Sequence, residues 1–148
     1  MAMIDGMAKF DVTGCAKHFP GHGDTSVDSH YQVPIVKASY QDLEKTHIAP
    51  FAQAVKHGVQ GVMTSHIIYP ALDNKNIATF SKPIVQDLLK EQLGYKGLVV
   101  TDSLDMKAAT QFCTIANCAV RALNTGSDMI LLGRYINPQT PFANIYKN

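Results

Sequence analysis

One short stretch of the chain carries more titratable side chains than ordinary loop composition produces. It reads AKHFPGHGDTSVDSH over residues 16–30 and contains three histidines and two aspartates. Asp28 and His30 stand two residues apart, so the carboxylate can reach the imidazole in a turned loop. Such a carboxylate orients the ring and stabilises its charged form, and a histidine with a pKa near neutrality both gives and takes a proton. The density of titratable side chains therefore indicates that this loop belongs to a chemical site.

Other polar residues come at the ends of apolar runs that are typical of buried strands. Lys17 and His18 end the first run, His66 ends the second, and Asp102 ends the third. In a parallel α/β sheet the loops at the carboxyl ends of the strands converge on one face, and the chemistry collects there. We therefore expect these side chains and the histidine-rich stretch to share one site.

A zinc site is the alternative interpretation of the histidine-rich stretch. The candidate ligands are His18, His22, Asp28 and His30. No familiar spacing of zinc ligands is present, so we predict no metal and no cofactor. The three cysteines, Cys15, Cys113 and Cys118, also lack the spacing of metal ligands, and their odd number disfavours a disulfide framework. Buried, reduced thiols are expected.

Four short apolar runs separated by helical patterns define the expected fold. The predicted strands cover residues 12–18, 61–67, 97–102 and 128–132. The alternation of strands and helices implies right-handed parallel crossovers, so the predicted fold class is α/β. A complete TIM (β/α)8 barrel typically needs about 250 residues, and the chain has 148. We expect one domain over residues 1–148 that forms a partial barrel of about four parallel βα units.

The helical patterns carry recognisable end signals. The first covers residues 39–58, with a break expected just before Pro50 because proline removes a backbone donor. Ser81 is the expected N-cap of the second pattern. Gly94 and Gly126 follow the second and third patterns, as is typical of helix ends.

Charge and composition exclude several classes of partner. The formal net charge is +1 and no run of Lys or Arg is present, so nothing predicts binding to nucleic acid or to an anionic membrane. No apolar stretch approaches the roughly 20 residues that span a bilayer. The first residues lack the basic region and the long apolar core of a signal peptide. We expect a soluble chain that is cytoplasmic by default.

Three motifs carry a resemblance to a known family. KHFPGHGDTSVDSH, GVMTSHIIYP and GLVVTDSLDM begin at residues 17, 61 and 97 and closely resemble glycoside hydrolase family 3, in its bacterial β-N-acetylglucosaminidase branch. The resemblance runs from about Ala2 to Leu132 and implies the C-terminal half of the family's catalytic barrel, beginning near the fourth helix. Four strands leave two open edges, so a missing N-terminal half-barrel or self-association is expected to cover them.

The resemblance also implies roles for five residues. Asp102 matches the nucleophile that attacks the anomeric carbon. His30 matches the acid/base, and Asp28 matches the residue that orients it. Lys17 and His18 resemble a pair that donates hydrogen bonds to the sugar hydroxyls.

The remaining histidines receive no catalytic role. His22 is interpreted as a structural residue of the loop. His47 and His57 belong to the first helical pattern and are expected on the surface. For His66, a place in the site and a purely structural role both stay open.

The activity that the resemblance implies is that of a retaining β-N-acetylglucosaminidase, a β-N-acetylhexosaminidase. It would remove terminal β-linked N-acetylglucosamine from muropeptides, as in peptidoglycan recycling, or from chitin-type oligosaccharides, through a covalent glycosyl-aspartate intermediate. A phosphorylase that uses phosphate as acceptor is one alternative. A non-catalytic fragment or split-gene remnant, which keeps the motifs but cannot close the barrel, is the other.

Overall fold

A parallel sheet organises the part of the chain that the structure describes. A computed structural model describes residues 1–23, 25, 28–29 and 31–133. Its three strands are β1 (Cys15–Phe19), β2 (Gly61–Thr64) and β3 (Leu98–Thr101), in the order β1-β2-β3. Each strand overlaps the run predicted for it, and both neighbouring pairs are parallel. The predicted α/β class with a parallel sheet is confirmed.

The fourth predicted strand, residues 128–132, does not form in the described part of the chain. Met129 makes one parallel bridge with Val100, and the Met129 carbonyl accepts a hydrogen bond from the Thr101 N–H at 3.0 Å. Beyond that point the Leu131 N–H donates to the Thr101 hydroxyl at 3.0 Å. The Thr101 hydroxyl thus accepts the hydrogen bond that a backbone carbonyl of β3 would accept in a continuing ladder. Residues 128–132 therefore lie beside β3 but form one bridge instead of a strand.

The helical run between β1 and β2 changes its hydrogen bonding at the predicted break. Helix α1 (Ala2–Ala8) precedes β1, and α2 (Tyr40–Asp42), a π-helical segment (Leu43–Ile48) and α3 (Ala49–Lys56) precede β2. Pro50, which has no N–H to donate, is the second residue of α3 and lies where the bonding changes from π-helical to α-helical. The chain therefore passes from π-helical to α-helical bonding at Ala49 and does not stop there.

Sequence signals mark ends of two of the remaining four helical segments. These segments are a 3₁₀ turn (Ala78–Phe80), a second π-helical segment (Pro83–Gln92), α4 (Lys107–Thr110) and α5 (Ile115–Thr125). The Ser81 hydroxyl accepts a hydrogen bond from the Ile84 N–H at 3.4 Å, as a cap does. Gly94 and Gly126 follow their helices with positive φ angles of 68° and 109°. Among the described residues, no helix has both the length and the apolar character needed to cross a membrane.

Two clusters of buried apolar side chains hold these elements together. In the larger, Val62 and Val99 of the sheet pack with Leu43, Phe51 and Leu89 of the helices. The smaller lies beside the β3–α4 loop and contains Ile77, Phe80, Leu104, Ala109, Cys118 and Ala122. Each fully buried large side chain contributes about 1.5–3 kcal/mol. The clusters therefore fix the strands whose carboxyl ends form the candidate site.

The cysteines differ from the sequence-based expectation. Cys113 and Cys118 form a disulfide across the start of α5, with their Cα atoms 5.5 Å apart. The first turn of α5 brings Cys118 back beside Cys113, which the count of cysteines could not reveal. Cys15 is a free thiol and is exposed. The expectation of reduced thiols is therefore wrong for Cys113 and Cys118, whereas Cys15 is reduced as expected but is not buried.

Candidate active site

The parallel register brings the carboxyl ends of the three strands to one edge of the sheet. Phe19 of β1 pairs with Thr64 of β2, and Thr64 pairs with Thr101 of β3. His66 lies two residues after the end of β2, and Asp102 directly follows β3, so both stand at the end of the sheet where β1 also ends. This common edge is the arrangement that the order of strands and helices predicts.

The two carboxylate oxygens of Asp102 have different surroundings. Oδ1 accepts a hydrogen bond from the Ser103 N–H at 2.8 Å, and Oδ2 lies 3.4 Å from His18 Nε2. The Asp102 N–H donates to the Thr64 carbonyl at 3.3 Å and so ties the residue to β2. The Asp102 side chain is 17% exposed. The carboxylate is therefore held by the fold and still reachable from solvent.

His18 faces Asp102 from an irregular part of β1. The register with β2 shifts between Lys17 and Phe19, and such a bulge re-aims the side chain at its centre. Burial lowers the pKa of His18, the charge of Asp102 opposes that effect, and the charge of Lys17 adds to it. The imidazole is therefore neutral at neutral pH and offers one N–H donor at the edge of the sheet.

Lys17 precedes His18 on β1 and is exposed. It pairs with Met63 in the ladder between β1 and β2. The two residues predicted to bind sugar hydroxyls thus lie next to each other near the carboxyl end of β1, and His18 is the one that approaches Asp102. Their role toward a sugar stays a prediction.

The glycine-rich loop after β1 is anchored through the Gly21 carbonyl. This oxygen accepts hydrogen bonds from the Tyr69 hydroxyl at 2.7 Å and from His47 Nδ1 at 3.3 Å. Gly21 has a φ angle of 142°, and an added Cβ would stand 2.7 Å from the His47 Cβ. Glycine is therefore required here, and the loop leaves β1 in a fixed direction.

His47 and Tyr69 hold the loop after β1 in place, and sequence reasoning assigned this role to neither residue. His47 is only 8% exposed, so the expectation of a surface position is wrong, whereas His57 is exposed as predicted. A signal for His47 was present, since Leu43, His47 and Phe51 recur at every fourth position and therefore share one helix face. Tyr69 has no comparable signal beyond its apolar surroundings.

The loop segment around Asp28 is tied to the element that follows Asp102. Asp28 itself is exposed, whereas the next residue, Ser29, is buried. The Ser29 carbonyl accepts a hydrogen bond from the Ala108 N–H of α4 at 3.3 Å. His30 lies outside the described residues, so its pairing with Asp28 stays a prediction.

His66 is buried beneath the site. Its Nδ1 lies 2.8 Å from the Thr79 hydroxyl, and its Nε2 lies 2.9 Å from the Ser103 carbonyl. Burial lowers the pKa of His66, although the hydrogen bond to Ser103 and the charge of Asp102 act in the opposite direction. The ring therefore contacts the backbone next to Asp102 and is 1% exposed to solvent.

The loop histidines form no recognisable metal site within the described residues. His18 and His22 approach with their ring centroids 5.5 Å apart, and His22 Nδ1 lies 3.2 Å from the Thr25 hydroxyl. No group of three or more His, Cys, Asp or Glu side chains in that part of the chain is arranged to hold a metal ion. The contact with Thr25 supports the interpretation of His22 as a structural residue of the loop.

Comparison with known proteins assigns this chain to a family. Residues 1–146 match the model of the glycosyl hydrolase family 3 N terminal domain. The β-hexosaminidase of Nitrosomonas eutropha is 37% identical over 131 residues, which cover 88% of this chain and 37% of that protein.

Solved structures show the same likeness. The glycoside hydrolase family 3 β-N-acetylglucosaminidase from Paenibacillus sp. str. FPU-7 is 42% identical, with a TM-score of 0.85 over 87% of this chain and 25% of that one. NagZ from Neisseria gonorrhoeae, in complex with N-trifluoroacetyl-D-glucosamine, is 34% identical, with a TM-score of 0.78 over 88% of this chain and 37% of that one. The chain thus spans 25–37% of the length of these relatives.

Proposed function

Because the chain belongs to glycosyl hydrolase family 3, we propose that it carries the nucleophile and the acid/base of a retaining β-N-acetylglucosaminidase. The proposed substrates are muropeptides or chitin-type oligosaccharides that end in β-linked N-acetylglucosamine. The main support is the Asp102 carboxylate, held at the carboxyl edge of the sheet with Oδ2 3.4 Å from His18 Nε2. The names of the relatives, β-hexosaminidase and β-N-acetylglucosaminidase, support the same class.

Asp102 is assigned the covalent step. One of its oxygens attacks the anomeric carbon, the bond to the leaving oxygen breaks, and that oxygen takes a proton from the acid. In the second step water attacks the same carbon, gives a proton to the base and releases Asp102. Oδ1 is held by the Ser103 N–H, so Oδ2 is the oxygen assigned to attack. Lys17 and the neutral His18 donate hydrogen bonds to the sugar hydroxyls beside it.

His30 is assigned the proton transfers, and Asp28 is assigned its orientation. A histidine that titrates near neutrality suits both steps, because it must be protonated in the first and neutral in the second. An anionic muramic-acid leaving group would repel a carboxylate in this place but not an imidazole. The bond between Ser29 and Ala108 supports the assignment, since it links the loop to the helix after Asp102.

The chain is proposed to form the second half of a (β/α)8 barrel within the family's N-terminal domain, as a single partial domain of about four βα units. Its span of 37% of the Nitrosomonas eutropha relative supports this, as does the unpaired outer side of β1 in the described sheet. An N-terminal half-barrel is proposed as the partner that pairs with that edge. A non-catalytic remnant is the competing reading, and its support is the same short length.

Covalent labelling tests the proposal because it needs one chemical event per molecule and so registers even a slow enzyme. A fluorinated N-acetylglucosaminide with a good leaving group should raise the intact mass by one sugar, mapped to Asp102. The chain is assayed alone and as a chimera in which it replaces the matching segment of the Paenibacillus enzyme. Asp102→Ala should abolish labelling. Asp87→Ala, at an exposed position of the second π-helical segment, should leave it unchanged.

His30→Ala separates the two chemical roles. It should spare labelling by a substrate whose phenolate leaving group needs no protonation, then slow the hydrolysis of the labelled enzyme by about 10²-fold or more. His57→Ala, at an exposed histidine, is the matched control. Labelling in the chimera alone identifies the chain as an incomplete piece of an active barrel. A label on another residue, or no label in either form, contradicts the proposal.

A further inference from the structure

A line of buried polar groups connects the ends of β2 and β3 beneath the candidate site. It runs from Thr64 through Thr79 and His66 to Ser103. The first three of these residues are 0–1% exposed. Buried polar groups need a partner for each donor and acceptor, so the direction of each hydrogen bond can be worked out.

One protonation pattern satisfies the whole line. The Ser103 carbonyl only accepts, so the ring proton of His66 is on Nε2. Burial keeps the ring neutral, hence Nδ1 accepts the proton of the Thr79 hydroxyl at 2.8 Å. The Thr64 hydroxyl then donates to Thr79 Oγ1 at 2.9 Å. The Thr79 hydroxyl also lies 3.0 Å from the Ser65 carbonyl, which competes with Nδ1 for its one proton. That carbonyl keeps a donor when the proton goes to Nδ1, because it also accepts from the Thr79 N–H at 3.2 Å.

Ser103 connects this line to Asp102. Its carbonyl accepts from His66, its hydroxyl donates to Asp105, and its N–H donates to Asp102 Oδ1 at 2.8 Å. The carbonyl and the N–H flank the same α-carbon, so a fixed carbonyl limits the directions in which the N–H can point. The direction of that N–H decides how the Asp102 carboxylate is turned toward His18.

We propose that His66 is a positioning residue that orients the Asp102 carboxylate by holding the Ser103 backbone, without touching the substrate. The inference rests on the proposed nucleophilic role of Asp102. Orientation is a large factor in such a reaction, because displacing a reacting group by about 1 Å can lower the rate on the order of 10²-fold.

Two amide substitutions separate this role from a purely structural one. In His66→Gln the side-chain amide reaches the place of Nε2 and can still donate to the Ser103 carbonyl. In His66→Asn the shorter amide reaches the place of Nδ1 and meets Thr79 only. A positioning role predicts that Gln preserves function and Asn does not. A role confined to packing beside Thr79 predicts the reverse.

Hydrogen exchange of the Ser103 amide tests whether His66 holds the Ser103 backbone, and this test does not require turnover. In the full 148-residue chain, His66→Ala and His66→Asn should speed exchange about five- to tenfold, the factor for a hydrogen bond of roughly 1 kcal/mol. His66→Gln should stay close to the wild-type rate. The Leu89 amide, in the second π-helical segment, reports on global opening, so the change at Ser103 is measured relative to the change at Leu89 in the same protein.

The rate of covalent labelling in the chimera tests the catalytic part. His66→Ala and His66→Asn should lower the maximal labelling rate at least about tenfold and change the half-saturating concentration less than about twofold, because the substrate contacts remain. His66→Gln should keep most of the rate. Leu89→Ala, which removes a fully buried side chain far from the edge of the strands, controls for lost stability.

The two experiments distinguish a failure of the proposed function from a failure of the inference about His66. If the wild-type chimera is not labelled at Asp102, the proposed function fails, while hydrogen exchange still decides whether His66 holds Ser103. The inference itself is overturned if Asn preserves both readouts and Gln does not, or if all three variants match the wild type. It is also overturned if Ser103 protection is lost while the labelling rate is unchanged.

Discussion

His18 is subject to two opposing influences at the residue scale. Burial disfavours its charged form, whereas the Asp102 carboxylate, 3.4 Å from Nε2, favours it. The effect of burial is larger, so the pKa of His18 lies below the ordinary value of 6.5. Burial lowers the pKa of His66 in the same way. Two histidines at the same edge of the sheet are thus held neutral by the fold.

The free energy of unfolding should therefore fall as the pH drops below 6.5. Just below that pH the histidines of the unfolded chain bind protons while His18 and His66 in the folded chain do not, so protonation favours the unfolded state. Stability is full above pH 6.5 and is lost as the pH falls toward the lowered pKa values. Urea titrations at several pH values between about 5.5 and 8, above the ordinary pKa values of aspartate and glutamate, follow mainly the histidines.

A variant identifies one of the groups responsible for the dependence of the free energy of unfolding on pH. His66→Gln removes one of the two titrating rings and should flatten the dependence on pH, whatever its effect on absolute stability. A wild-type stability that does not change below pH 6.5 would contradict the prediction.

At the scale of elements, the loop after β1 depends on one of its two glycines. Gly21→Ala should lower the free energy of unfolding by about 1–3 kcal/mol, because a φ angle of 142° strains any other residue and the new Cβ would crowd His47. Gly23→Ala is the matched control, since nothing lies within 4 Å of its added Cβ. Its effect should stay within about 0.5 kcal/mol. Denaturant titrations measure both, and equal effects would argue against the anchor at His47.

The disulfide at the start of α5 gives a second prediction at this scale. Reduction of the Cys113–Cys118 bond should lower the free energy of unfolding by about 2 kcal/mol, the order that chain entropy gives for so short a loop. Unfolding with and without reductant measures the difference, and thiol titration verifies that the bond has opened. Cys113→Ser should not respond to reductant. An opened bond without any loss of stability would contradict the prediction.

At the scale of the whole molecule, apolar side chains stay exposed around α1 and the outer side of β1. Met3 and Phe10 are 79% and 80% exposed. A groove of about 350 Å³ lies between α1, β1 and α3. Exposed apolar surface next to an unpaired strand edge favours association with another chain.

The isolated chain should therefore self-associate. Light scattering after size exclusion should show a mass above that of one chain, 16.2 kDa, at micromolar concentrations. Met3→Lys combined with Phe10→Lys should shift the protein toward the monomer. Leu123→Lys, which changes a side chain 51% exposed on α5, is the control and should have little effect. A wild-type chain that stays monomeric at every concentration would refute the prediction.

The sequence by itself determined the elements and the edge at which polar residues collect. The apolar runs located three strands, and Ser81, Gly94 and Gly126 marked helix ends, because these signals depend on local backbone preferences. The alternation of strands and helices was enough to place Lys17 and Asp102 at one edge of a parallel sheet, since chain order and handedness decide it.

Only the tertiary structure decided which polar groups meet. His18 contacts Asp102, and His47 anchors Gly21, although the residues of each pair belong to different elements. No local sequence pattern specifies how far apart such residues lie in the folded chain. The predicted fourth strand reduces to one bridge for the same reason, because the Thr101 hydroxyl, on a neighbouring strand, takes the place of a backbone partner. Local sequence sets the conformational preference of each segment, whereas hydrogen-bond partners are settled only when distant segments pack together.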